Sequence, residues 1–317
     1  MKNYPFVSVV LPAYNAETTI SESIQSIIDQ TYKSWELIVI NDGSIDNTKS
    51  KILSFKDSRI KYIENDGNKG LIYTLNRGID LAMGKYIARM DADDICMPER
   101  FEKQVAFMEE NPKVIVCGTQ IKYFGTKSNS FKKLVFPEHD RDLKDMLAMS
   151  TCFAHPSVML RRDVLIENNV RYDKCFKNAE DYAMWVELMP LGEFANLPDA
   201  LLNYRVSDTQ ISQPSNQQTR KSVIACHKKY LYKFVAKGIV DNIFEAGCDI
   251  SIIKQLRKAV RNKRILEACY LSLSKFDLRS ATYFFFSGDF LALGFGATIR
   301  FVKRLIVGPA PIYFDVK

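Results

Sequence analysis

Short β-type apolar runs alternate with helix-spaced apolar residues along the N-terminal part of this chain, and each run stops abruptly at polar residues. Val7 to Leu11 read as a buried strand that closes at Pro12 and opens into the loop Ala13-Tyr14-Asn15-Ala16-Glu17. Ile20, Ile24, Ile27 and Ile28 then lie at helical spacing, with Thr18 or Thr19 placed to cap the helix. Trp35 to Ile40 form a second strand ending at Asn41-Asp42-Gly43-Ser44, and Asp46 or Asn47 starts the next helix. A third strand is expected at Arg59 to Glu64, followed by the loop Asn65 to Gly70 and a helix that places Leu71, Leu75, Ile79 and Ala82 on one face. This alternation predicts an α/β fold with a mostly parallel central sheet flanked by helices, and such sheets bind ligands at the carboxyl ends of their strands. Asp42 and Asp91 are then expected to face one crevice.

The fourth run, Tyr86-Ile87-Ala88-Arg89-Met90-Asp91-Ala92-Asp93-Asp94, ends in closely spaced carboxylates. Gathering such charges at the end of a buried strand is costly unless a cation holds them. Hard divalent ions such as magnesium and manganese take oxygen ligands, with water and substrate phosphates completing the shell. A metal-bridged nucleotide diphosphate is one reading; an acidic turn after a strand is the plainer one.

The strings VSVVLPAYNAE, ELIVINDGSIDNT, NKGLIYTLNRGI, GKYIARMDADD and NAEDYAMWVEL occur in that order from Val7 to Leu188. Together they resemble the inverting family 2 glycosyltransferases of GT-A fold, and within them the bacterial enzymes that build O-antigen, capsule or other surface polysaccharides. The resemblance covers roughly the first 210 residues, the remainder only in general character. It implies a GT-A fold, Rossmann-like, carrying a C-terminal helical, basic and amphipathic appendage. It implies transfer of a hexose or N-acetylhexosamine from a UDP-sugar to a polyprenyl-diphosphate-linked sugar acceptor, aided by Mn2+ or Mg2+. Asp93 would bind the metal, with Asp91 sharing its shell or contacting the ribose beside Ala92. Asp42 would accept the uracil N–H, since a carboxylate offers acceptors only. Pro12, Tyr14, Asn15 and Glu17 would lie beside it, with Asn68, Gly70 and Asn76 on the same nucleotide-sugar side. A helix starting near Gly70 also lends amide donors to a diphosphate. Inversion requires a base opposite the leaving group, and the family pattern gives that role to Asp181 of the Glu180-Asp181 pair. The alternative for this pair is that two acids merely open a helix, favoured by its dipole.

His155 and Arg205 are further candidates for acceptor or phosphate contact. A lone histidine is often a satisfied structural group, and an arginine can equally stand exposed without a partner. The chain departs from the family pattern at two places. Leu75 precedes Asn76 where many relatives carry an arginine, and Ser207 stands where many carry a histidine. A histidine metal ligand after the sheet is thereby put in doubt, with water or Asp208 as replacements.

With 317 residues, 47% of them hydrophobic, the chain can bury one substantial core and a smaller appendage. Seven cysteines without a CxxC pair argue for reduced thiols and against zinc or a disulfide framework. Met1-Lys2-Asn3-Tyr4-Pro5 runs directly into strand one, so no signal peptide is expected, and the active site is expected to be cytoplasmic. From Arg220 onward 18 Lys/Arg face 7 Asp/Glu, so the whole net charge of +7 lies in the tail. Basic residues beside Tyr283-Phe284-Phe285-Phe286 suit the inner face of an anionic plasma membrane, with helices packed on the catalytic domain as the alternative. A full span is disfavoured by Asp289. A basic tail also suits nucleic acid, but no nucleic-acid motif accompanies it, and no such partner is expected.

The expected division is a catalytic domain over 1–212, its nucleotide-sugar half about 1–118 and acceptor half about 119–212, followed by a helical region over 213–317. Phe124 to Leu143 read as loop and a candidate acceptor-side flap. Two other classes stay open at this stage: a nucleotidyltransferase, although Ala13 to Thr19 contain no glycine or basic residue for a phosphate loop, and a non-catalytic nucleotide-sugar-binding scaffold on the same fold.

Overall fold

The computed structural model describes residues 6–125, 135–147, 150–206 and 217–241, apart from 235, 236 and 239. One eight-stranded sheet organises them, in the order β3-β2-β1-β4-β7-β6-β8-β5. Its first half consists of β1 (Val7–Ala13), β2 (Trp35–Asn41), β3 (Ile60–Glu64) and β4 (Tyr86–Arg89), all parallel. The central strands are buried at every position, which is why their sequences run apolar rather than alternating. Edge strand β3 keeps only partial burial.

Helices α1 (Ile20–Ile28), α2 (Thr48–Ser54) and α3 (Leu71–Leu81) connect these strands. Ile20, Ile24 and Ile27 of α1 are buried, as are Leu75 and Ile79 of α3 with Ala82 just beyond it. The side chain of Leu75, where many relatives carry an arginine, therefore serves packing. At Gly78 an added Cβ would lie 2.2 Å from a Val10 methyl, so α3 sits directly on β1.

Beyond β4 the sheet is mixed, not parallel throughout. β7 (Met159–Arg161) runs antiparallel to both β4 and β6 (Val114–Phe124), and β8 (Glu193–Arg205) returns parallel to β6. β5 (Ile95–Cys96) closes the edge antiparallel to β8. α4 (Arg100–Glu110), α5 (Asp140–Met146), α6 (Arg162–Glu167), α7 (Glu180–Leu188) and α8 (Gln217–Tyr232) complete the set. The register sets Ala13 opposite Asn41 and Val10 opposite Arg89, so the loops carrying Asp42 and Asp91 leave the sheet at one rim.

Several expectations shift. Thr19 precedes α1 but its hydroxyl makes no cap; it donates to the Ala92 carbonyl at 2.9 Å and so ties the first loop to the acidic one. At α2 the side chain that receives the helix amide is Asp46, from Thr48 N–H at 3.0 Å. α5 begins at Asp140, inside the segment expected to be loop; residues 126–134 of that flap lie outside the described residues. α8 starts at Gln217, near the start of the region expected to be helical, and packs on α7, with Lys229 and Lys233 3.1 and 3.3 Å from Glu187. The basic tail after 241 and Asp208 lie outside the described residues. Among the described residues no helix is long and apolar enough to cross a membrane, and the cysteines Cys96, Cys117, Cys152, Cys175 and Cys226 are free thiols.

Gly43 shows how tightly the rim is built. Its φ is +71°, and a Cβ there would meet the Gly67 carbonyl carbon at 2.5 Å. Gly43→Ala should cost about 2–4 kcal/mol, combining left-handed strain with displacement of a neighbouring loop. Urea denaturation of the purified variant measures this, and a cost under about 0.5 kcal/mol would contradict the packing described.

Candidate active site

The rim is a set of loops stitched to one another by side chains. Asn15, at φ +47°, donates its amide to Ser44 Oγ at 3.0 Å and accepts from the Ile45 amide at 3.0 Å. Glu17 accepts from both the backbone and side-chain nitrogens of Asn47 at 3.0 Å, and its own amide donates to Asp46. Pro12 is buried at the end of β1, whereas Tyr14 stands exposed above the rim.

Asp42 is buried, and its carboxylate gathers the loop ahead of α3. It accepts from Asn65 Nδ2 at 2.7 Å, Lys69 N–H at 2.9 Å and Gly70 N–H at 2.8 Å. Asn68 also accepts from Gly70 N–H, and Gly70 holds φ +86° at the start of the helix. Asn76, one turn into α3, is spent on the backbone of Tyr172, donating to its carbonyl at 2.8 Å and accepting its amide at 2.9 Å.

At the end of β4, Asp91, Asp93 and Asp94 bring their carboxylate oxygens within 4.8 Å of one another. Burial first, and then the charge of Asp91, push the Asp93 carboxyl up to about 6. Asp94 is driven well above the usual carboxylate range by burial and by both neighbours, and its Oδ2 is buried without a hydrogen-bond partner. An all-oxygen cluster whose charges repel, with a buried acceptor left open, suits a hard divalent cation. Ser23 Oγ holds the Asp94 carbonyl at 2.7 Å, and Arg205 N–H donates to Asp94 Oδ1 at 2.8 Å. The Arg205 side chain is engaged inside the protein: Nε donates to the Asp93 carbonyl at 2.7 Å, the guanidinium pairs with Glu22, and it stacks 4.4 Å over Phe124.

Glu180 and Asp181 do open α7, as two acids can without any function, but in an unusual setting. Glu180 is 7% exposed, and burial followed by the charge of Asp181 pushes its carboxyl up to about 7. Asp181 is raised by burial and tempered by hydrogen bonds, including one from Thr151 Oγ1 at 3.1 Å. Behind it the helix turns Trp185 and Leu188 into the core. His155 bonds Tyr172 Oη at 2.8 Å through Nε2 and rests its ring edge-on to Trp185; burial, then the nearby Arg89 charge, hold it well below its ordinary pKa, so it is neutral.

Residues without an assigned role in the sequence reading complete the site. Arg89 is 4% exposed, forms an ion pair with Asp91, and has an Nε without hydrogen-bond partner. Its charge acts on Asp93, Asp94, Glu180 and Asp181 alike. A charged residue inside a buried strand was the available signal. Thr151 and Tyr172 carried no such signal, because only the folded chain brings them to Asp181 and His155.

Residues 8–168 match the profile described as Glycosyl transferase family 2. An uncharacterized glycosyltransferase of Haemophilus influenzae is 35% identical over 90% of this chain and 91% of its own length. A UDP-Glc:alpha-D-GlcNAc-diphosphoundecaprenol beta-1,3-glucosyltransferase of Escherichia coli is 33% identical over 68% of this chain and 83% of its own. The crystal structure of S. aureus TarS 1-349 in complex with UDP-GlcNAc superposes with a TM-score of 0.62 at 17% identity, covering 87% of this chain and 83% of that one. The last likeness speaks to the fold, a mixed α/β sheet with flanking helices of GT-A type.

The raised Asp93 has a signed consequence for the metal-free protein. Its folded pKa of about 6 lies above the ordinary 3.8, so the unfolded chain ionises first. Folding stability therefore falls as pH rises between those values, and the deficit is fully present above about 6. Asp93→Asn should stabilise the metal-free protein by about 1–2 kcal/mol at pH 8 and by almost nothing at pH 4. Thermal melts with chelator at both pH values test this; equal effects at the two would refute the assignment.

Proposed function

Because the chain belongs to glycosyl transferase family 2, we propose that it is an inverting, metal-dependent enzyme of surface-polysaccharide synthesis. It moves a hexose or N-acetylhexosamine from a UDP-sugar to a polyprenyl-diphosphate-linked sugar. The observation that carries this reading is two separate, partly buried acid groups served by one buried guanidinium, Arg89: the three-carboxylate cluster after β4 and the Glu180-Asp181 pair. The printed donor and acceptor of the Escherichia coli relative support the choice of substrates.

In this reading Asp93, with Asp91, holds Mn2+ or Mg2+. The chemistry supplied there by a bound cation is neutralisation of the departing diphosphate. The uracil lies beside Pro12, Tyr14, Asn15 and Glu17, with Asp42 accepting its N–H while also holding the loop of Asn68 and Gly70. Asp181 takes the proton of the acceptor hydroxyl as that oxygen attacks the anomeric carbon from the face opposite UDP. A common α-linked donor then yields a β linkage. Beside Asp181, Glu180 has its carboxyl pushed up to about 7 by burial and then by the charge of Asp181, and holds a proton more readily than an ordinary carboxyl. Burial strengthens Asp181 as a base by raising its affinity for a proton. His155, neutral and bonded to Tyr172, lines the acceptor side. The catalytic domain over 1–212 works at the cytoplasmic face of the plasma membrane, with 213–317 associating with the lipid surface.

The test is transfer by purified protein with manganese, a panel of UDP-sugars and synthetic lipid-diphosphate GlcNAc or GalNAc acceptors. Transfer from one donor is expected, reduced by about 10²–10⁴ in Asp181→Asn while UDP still binds, and lost in Asp93→Ala. UDP bound without turnover of any donor would sink the catalytic reading in favour of a binding protein.

Thr151 supplies a finer test. Its hydroxyl stabilises ionised Asp181, so Thr151→Val should raise the pKa of the base. The acid limb of the kcat/KM profile then moves up by up to about one pH unit, with the plateau retained. A limb that moves down, or not at all, excludes Asp181 as the titrating base.

A further inference from the structure

Arg100 lies at the start of α4 with no exposed surface, and every hydrogen-bond partner it has is neutral. Burying a guanidinium without a carboxylate is expensive, and it persists only where its donors are consumed by well-placed acceptors. Here Nη2 donates to the carbonyl of Arg89 at 2.9 Å and to that of Val158 at 3.2 Å. Nη1 contacts Cys96 Sγ at 3.1 Å and Met90 Sδ at 3.8 Å, and Nε donates to Gln104 Oε1 at 3.1 Å.

The places contacted define what the arginine does. Arg89 and Met90 immediately precede the acidic loop, and Cys96 follows it one residue after Ile95, so one side chain brackets residues 91–94 from both ends. Arg89 and Val158 mark the point where β4 and β7 part: their ladder runs from Tyr86 opposite Arg161 to Ala88 opposite Met159, and Arg89 N–H still reaches the Val158 carbonyl at 3.0 Å. From there one chain turns into the carboxylates and the other leads back to the turn His155–Ser157. Gln104, one helical turn further along α4, holds that second branch by donating to the carbonyls of Ser157 at 3.0 Å and Cys117 at 2.6 Å.

We propose that Arg100 is a positioning residue for the donor site, a fork that fixes the acidic loop and the His155 turn relative to each other by binding both backbones where they diverge. The proposal rests on the reading of Asp91 and Asp93 as metal ligands. Lysine offers one nitrogen in place of a planar fork and cannot span both carbonyls and the thiol.

The experiment compares Arg100→Lys with Arg161→Lys. Arg161 is likewise buried, binding the backbone carbonyls of Val114 at 2.8 Å and Met108 at 2.6 Å and the Tyr86 hydroxyl at 3.3 Å at the far end of the β4–β7 ladder, and contacts neither branch of the fork. For each folded variant, UDP binding is titrated calorimetrically against MnCl2, and the manganese half-saturation and kcat of transfer are measured. Arg100→Lys should raise the manganese half-saturation about tenfold and lower kcat, whereas Arg161→Lys leaves both within about twofold, even at an equal loss in melting temperature. Equal melting losses with manganese half-saturation unchanged in Arg100→Lys would overturn the proposal. If Arg100→Lys does not fold, Gln104→Ala is judged by the same criterion, since it removes the Nε acceptor and the prop under Ser157. Wild-type protein that binds no UDP would instead sink the donor-site reading. The fork is then decided by hydrogen exchange: acceleration in Gln104→Ala confined to 91–96 and 155–158 upholds it, and uniform acceleration including β1 to β3 overturns it.

Discussion

A buried positive charge is the constraint around which this site is arranged. Arg89 sits at the last position of β4, almost wholly out of water, and with Nε left without a hydrogen-bond partner its charge leans on opposite charges close by. Asp91 supplies the direct ion pair. The other carboxylates that feel the same guanidinium, Asp93, Asp94, Glu180 and Asp181, arrive from two elements far apart in sequence. Burial first, and then a neighbouring carboxylate, outweigh the one cation at Asp93 and Glu180, which remain raised to about 6 and about 7. In the proposed reading, the residual negative charge at the β4 end serves a further cation and the residual basicity at the α7 end serves proton abstraction.

Pre-organisation explains why the rim around these charges is so heavily bonded to itself. Three loops that follow β1, β2 and β3 have no regular ladder among them, yet Asn15, Glu17, Asp46 and Asp42 supply side-chain acceptors that take the place of one. Asp42 is the clearest example: three protein donors already converge on it, which aligns the Lys69 and Gly70 amides before any ligand arrives. A loop ordered in this way loses less freedom on binding, and that lowers the cost of binding a nucleotide.

Legibility in the sequence followed the range of the interactions. The parallel half of the sheet was readable because its strands are buried on both faces and its helices carry clear apolar stripes, both local signals. The acidic cluster was readable for the same reason, since Asp91, Asp93 and Asp94 are neighbours along the chain. The mixed half of the sheet was not, because β7 is only three residues long and its antiparallel pairing depends on what precedes it. Thr151 and Tyr172 matter only through contacts to Asp181 and to Asn76 and His155, which no periodicity announces. Arg205 was visible as a cation, but its commitment to Glu22 and the Asp93 carbonyl spans most of the chain. Thr19 makes no cap: its hydroxyl is turned to donate to the Ala92 carbonyl and accepts from no helix amide.

The packing of α8 on α7 extends this logic past the family profile, which ends at residue 168. Asn178 Nδ2 donates to Thr219 Oγ1 at 3.1 Å, Cys226 Sγ lies 3.5 Å from the Ala179 carbonyl, and buried His227 meets the ring of Tyr182 edge-on. Those three contacts flank Glu180 and Asp181 on both sides. The acid pair is thus held at its N-terminal approach by a helix from the C-terminal region, while Thr151, from the loop between α5 and β7, bonds Asp181 and the charge of Arg89 on β4 acts on both acids. A displacement of α8 has no route that leaves residues 178–182 untouched, so the start of the basic region and the acid pair form one mechanical unit. The charge asymmetry of the chain acquires a structural counterpart here: Lys229 and Lys233 of the basic region are committed to Glu187 on the same helix that carries the pair.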